Sequence, residues 1–168
     1  ITSDEIRTAL RRATIANEIV PVVCGTALRT KAVHPLIDAI TDYLPSPIDV
    51  PAIEGRELRT GNTVVRAPDP DEPFSALAFK AVTDEFIGRL VYFRVYSGTV
   101  KSGSMVYNST TGKRERLGRV VKMHANHKED VDSVSAGDIA AAVGLKSTST
   151  GDTLSAETSP VQLEAITF

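Results

Sequence analysis

The 168-residue sequence has no Trp, five Phe and four Tyr. With so few aromatics, aliphatic side chains must fill any core. There is one cysteine, Cys24, which excludes an intrachain disulfide and points to a cytoplasmic protein. No apolar run approaches the roughly 20 residues of a membrane span, and no signal peptide is expected. Also absent are the nucleophile elbow G-x-S-x-G, the zinc motif H-E-x-x-H, the phosphate cradle G-x-x-x-x-G-K-[ST] and the base-reading N-K-x-D. "TTGKR" has Gly-Lys but continues with Arg114 between two strand patterns, and "ANHKED" is not the guanine motif. Phosphoryl transfer needs those parts, so no catalytic residue and no GTP hydrolysis are expected of this chain.

What is present falls into two grammars. Thr2 to Asn17 reads as a helix: Thr2 and Glu5 suit a capping box, and Ile6, Ala9, Leu10 and Ala13 share a face. Ile19–Cys24 is a short apolar run between Glu18 and Gly25, as in a strand buried on both faces of a parallel sheet, with Cys24 at its buried end. Val33 to Leu44 reads as a second helix with Pro35 in its first turn and Val33, Leu36, Ile37, Ile40 and Leu44 as its stripe. The chain begins at Ile1 inside a helix signal, which predicts a piece of a longer protein.

Pro45, Pro47 and Pro51, followed by "RAPDPDEP", read as a linker. From Phe74 the period becomes two. In "GRLVYFRVYSGTV" Leu90, Tyr92, Arg94 and Tyr96 alternate with Val91, Phe93 and Val95. Turns are expected at Ser102-Gly103, at "TTGKR", "SAGD" and "TSTGD". "ERLGRVVKMH" reads as one strand with Gly118 a bulge, and "VQLEAITF" as a closing strand. Short strands at this spacing predict a closed antiparallel barrel, which leaves no unpaired edge. The domains expected are 1–45, a 46–73 linker and 74–168.

Net charge is -2, but it is unevenly spread. Between Gly98 and Lys128 seven cations face one acid, Glu115, so that window carries +6 and the remainder -8. Lys113, Arg114, Arg116, Arg119 and Lys122 are its dense part, suited to phosphate contacts. Only Tyr107 is near, which favours backbone recognition over base stacking. The same cations also suit a solvated strand face. His124 and His127, with Glu129 and Asp130, lack the helical spacing of a metal site, so none is expected. Asp69, Asp71 and Glu72 read as a solvated linker.

Several long stretches, in order, resemble bacterial elongation factor G, a translational GTPase. "IVPVVCGTALRTKAVHPLIDAITDYLPSPIDVPAIEG" is similar to the end of its GTPase domain. "EPFSALAFK", "FRVYSGTVKSGSMVYNST", "GKRERLGR", "MHAN" and "AGDIAAAVGLKSTSTGDTL" are similar to its second domain. Related GTPases, such as ribosomal protection proteins, share the barrel. The resemblance implies a mainly β fold: a closed antiparallel barrel of the translation-factor domain 2 type, after a helix-strand-helix remnant of an α/β GTPase domain. It implies that Thr26, Ala27 and Leu28 match the loop whose backbone amides meet guanine, with Thr26 where Ser is commoner. GTP or GDP and Mg would bind only in the full-length parent, and none in this piece. The partners implied are the ribosome, its small-subunit rRNA, and the GTPase and later domains of the parent. No membrane partner is implied. A second reading makes the barrel an intramolecular spacer without RNA contact.

Overall fold

In the computed structural model, residues 1–84, 88–124 and 127–163 are described, with only the backbone of Asp84 and His124. The tail of "VQLEAITF" and the end of "MHAN" lie outside them. The chain divides into two units, Ile1–Pro51 and Ala52–Phe168.

In the first unit, α1 spans Ser3–Ile15. Thr2 caps it reciprocally: its hydroxyl accepts from the Glu5 N–H at 3.2 Å, and its own N–H donates to Glu5 Oε2 at 2.7 Å. Two of the orphan donors of a helix start are thereby satisfied. Asn17, at φ +58°, turns the chain away. The second helix, α2, spans Val33–Tyr43. Arg11 of α1 reaches its C-terminus and donates to the carbonyls of Asp42 and Leu44 at 3.0 and 3.2 Å. A guanidinium there suits the negative end of the helix dipole.

The expected strand over Ile19–Cys24 does not form: the run has no ladder partner, Val20 and Val22 are more than four-fifths exposed, and Cys24 is exposed rather than buried. Parallel strands need flanking strands to bond with, and none lies beside this run among the described residues. The stripe of α2 is open for the same lack of a sheet: Leu36, Ile37, Ile40 and Leu44 are each about half exposed.

The second unit is all β, and every pairing is antiparallel. Its strands are β1 Ile53–Glu57, β2 Thr63–Arg66, β3 Ser75–Asp84, β4 Gly88–Ser97, β5 Thr99–Lys101, β6 Met105–Asn108 and β7 Lys113–Arg116. They continue as β8 Arg119–His124, β9 His127–Val131, β10 Ser133–Ser135, β11 Ile139–Val143, β12 Thr153–Ser155 and β13 Val161–Leu163. Eight form the barrel sheet in the order β7-β6-β12-β3-β4-β11-β8-β9, and β5 pairs with β10. Inside lie Phe74, Val91, Phe93, Val95, Val106, Leu117, Val120 and Leu154, with Ala76, Ala78, Ala140 and Ala142 as their small partners. Large and small residues interdigitate in this way where a barrel interior is narrow.

Three expectations change here. The stretch read as linker holds β1 and β2, which form a sheet of order β13-β1-β2. Ile53 and Val64 pack with Leu77, Tyr96, Val161 and Leu163. Gly118 is not a bulge within one strand but the break between β7 and β8, where a Cβ would fall 2.5 Å from the Val143 carbonyl. The Ser102-Gly103 turn exists, with Gly103 at φ +83°, but its flanking strands part: β5 pairs β10, whereas β6 pairs β7 and β12.

Candidate functional site: a closed turn and a cationic edge

Thr26, Ala27 and Leu28 form a small closed turn. Thr26 and Lys31 exchange both backbone bonds at 3.1 Å, and Ala27–Arg29 make a single 3-10 turn between them. The first amides of such a turn have no intrahelical acceptor. Leu28 is fully exposed at the tip. Beside the turn is a depression of about 190 Å³, lined by Gly25, Thr26 and Ala27 on one side and Ala32, Val33 and Leu36 on the other. It offers no cradle for phosphate, so these residues do not fit a whole nucleotide.

The five cations singled out in the sequence do not all point the same way. Strand alternation puts Arg114 and Arg116 on the face of β7 opposite Glu115, which is buried. Arg119 and Lys122 point to opposite faces of β8 for the same reason. Their neighbours also differ. Arg114 pairs with Glu157, Arg119 with Asp130 at 3.2 Å and Lys122 with Asp138 at 2.9 Å. Arg116 Nε donates to the Gly103 carbonyl at 3.2 Å. Lys113 is exposed and has no ion pair among the described residues.

These pairs differ in strength. Arg114–Glu157 and Arg119–Asp130 are half or more exposed and worth about 0–1 kcal/mol, so a polyanion can exchange for the carboxylate. Lys122 and Asp138 are more enclosed. Burial raises the Asp138 carboxyl, but the Ser135 N–H and Lys122 outweigh it and hold the carboxyl below the ordinary aspartate value.

A cation outside the basic run joins this edge through Glu115. One carboxylate oxygen accepts from the Lys146 and Ser147 N–H groups at 2.7 and 2.8 Å, and the other from the Thr148 hydroxyl at 2.6 Å. Burial raises this carboxyl; the donors from Thr148, Ser147 and Lys146 more than offset that, and it lies below the ordinary glutamate value of 4.5. Loop 144–149 therefore lies on the Glu115 side of β7, the side that Lys113 also takes by alternation, and carries the exposed Lys146 there. Asn108 completes the network. It is fully buried, donates to Asp152 at 2.9 Å and Thr148 at 3.3 Å, and accepts from the Thr110 and Thr111 amides of the β6–β7 turn. Sequence reading missed Lys146 because it is an isolated cation in a turn-rich stretch.

Residues 88–155, from β4 through β12, match the family model of elongation factor Tu domain 2. The barrel has the elongation factor Tu domain 2 fold. A Thermus thermophilus protein of known crystal structure is similar over 93% of this chain, with a TM-score of 0.68 and 24% identity. At that identity the likeness concerns the fold alone. The present chain spans about a fifth of that protein, covering 21% of it. Among the described residues no helix is long and apolar enough to cross a membrane.

Proposed function

We propose that the chain is the junction of a translational GTPase of the elongation factor G kind. Residues 1–45 are the end of its GTPase domain, and the barrel is a ribosome-binding and coupling module. The match of β4 to β12 to elongation factor Tu domain 2 carries this reading. The closed turn at Thr26 to Leu28 supports the first part, as the base-edge half of a guanine site. Phosphate and Mg would be held by residues that are not in this sequence, so no step of hydrolysis belongs to it. Titrated with GDP in a calorimeter, the chain is expected to give no binding isotherm at micromolar ligand. A saturable one would overturn the division of labour.

The barrel's ligand is small-subunit rRNA, met through phosphates by Lys113, Arg116 and Lys146. Arg114 and Arg119 join when phosphate displaces Glu157 and Asp130. Replacing both Arg114 and Arg116 by Glu should weaken binding to small ribosomal subunits and flatten its salt slope by about two or more. An unchanged slope would instead favour the spacer reading, which the pairing of Arg114, Arg119 and Lys122 with carboxylates supports.

A further inference from the structure

Loop 144–149 is gripped from two sides. Glu115 holds it by the N–H groups of Lys146 and Ser147 and by the Thr148 hydroxyl. Arg89, at the start of β4, holds it by its carbonyls: Nη1 donates to Lys146 O at 2.7 Å and Nη2 to Thr148 O. The backbone of Lys146 is thus bonded at both its N–H and its C=O. Its side chain remains exposed and has no ion pair among the described residues. A buried carboxylate and a forked guanidinium, each making charge-assisted bonds to one short loop, fix it far more firmly than turn chemistry alone. Lys loses a large entropy on being ordered, so a rigid base lowers the cost of placing its ammonium.

We propose that Glu115 and Arg89 are positioning residues, which clamp loop 144–149 and hold Lys146 alongside β7 as a preformed anion-binding edge. The inference rests on the polyanion reading of this edge under the proposed function. It assigns Glu115, the one acid in the basic window, a purpose opposite to its charge. Electrostatics alone would have Glu115 repel phosphate, and its removal would tighten binding. As a clamp, its removal loosens Lys146 and weakens binding. The two effects have opposite signs.

The test uses the whole chain and purified small ribosomal subunits, with affinity measured against salt concentration. Lys146→Ala should weaken binding and reduce the salt slope by about one. Glu115→Gln keeps the shape but loses a carboxylate oxygen. It should weaken binding by about three- to tenfold, and hydrogen exchange at the Lys146 and Ser147 amides should accelerate. Thr148→Val changes no charge, removes the hydroxyl donor, and should weaken binding in the same direction. It decides the matter if Glu115→Gln melts too low to assay. If Lys146→Ala weakens binding while Glu115→Gln or Thr148→Val leaves it unchanged or tighter, the clamp is refuted and the polyanion edge stands. If Lys146→Ala changes neither affinity nor slope, the polyanion reading of this edge fails and the proposal falls with it.

Discussion

Gly98→Ala should cost the barrel about 3–5 kcal/mol, lowering the melting temperature by about 10–20 °C. Gly98 is buried where β4 passes into β5, at φ +72°. A Cβ there would sit 2.5 Å from the Phe74 nitrogen, with the Glu72 carbonyl closer still. None of these atoms can yield, because each is backbone. The glycine N–H donates to the Asp69 carbonyl at 2.8 Å, and its own carbonyl accepts from Ala136 at 2.9 Å, so the chain is tied on both sides. Gly88 is the control. Its φ is +77°, yet among the described residues nothing lies within 4 Å of a Cβ placed there. Gly88→Ala should therefore show the conformational strain alone, about 1 kcal/mol. Urea denaturation of both variants compares the two terms; equal losses would refute the steric account.

Glu115→Ala should destabilise the barrel by about 3 kcal/mol at neutral pH. The variant leaves two amides and a hydroxyl without their acceptor in a buried place, and unmade bonds cost more than made ones contribute. The effect depends on pH with a definite sign. The folded carboxyl lies below the ordinary value of 4.5. Its contribution is therefore complete above that value and is lost as pH falls through the folded one. The stability curves of the parent and Glu115→Ala should run parallel from pH 7 to 5 and converge in more acid solution. A gap that stays constant to pH 3 would show that the carboxylate charge plays no part in holding the loop.

Much of the fold was legible because its signals are local. The capping box of α1 needs only Thr2 and Glu5. The alternation through β4 needs only its own side chains, and Val91, Phe93 and Val95 are indeed buried. What was misread depended on partners distant in sequence. Ile53 and Val64 read as linker, because the strand that pairs with β1 is residues 161–163 and the surface that covers them is Leu77 and Tyr96. Ile19–Cys24 has the composition of a buried strand, but composition cannot supply the neighbours to which such a strand bonds.

The basic run shows the same division for function. Its charge excess, the absence of a phosphate cradle and the strand-turn rhythm belong to the sequence, since each is a count or a period. Which face each cation takes was also implicit, because alternation places Arg119 and Lys122 on opposite sides of any strand. The acidic partners were not implicit. Glu157 lies 43 residues beyond Arg114, and Lys122 meets Asp138, 16 residues on, where β11 pairs with β8. Nor was Lys146, which reaches the edge only because a buried Glu115 finds two amides and a hydroxyl 31 to 33 residues away. The sequence by itself determined the amount of charge and the period of the strands. The tertiary structure alone decided which charges are neutralised and which loop is held beside them, since hydrogen bonds and ion pairs depend on distances that the folded sheets set.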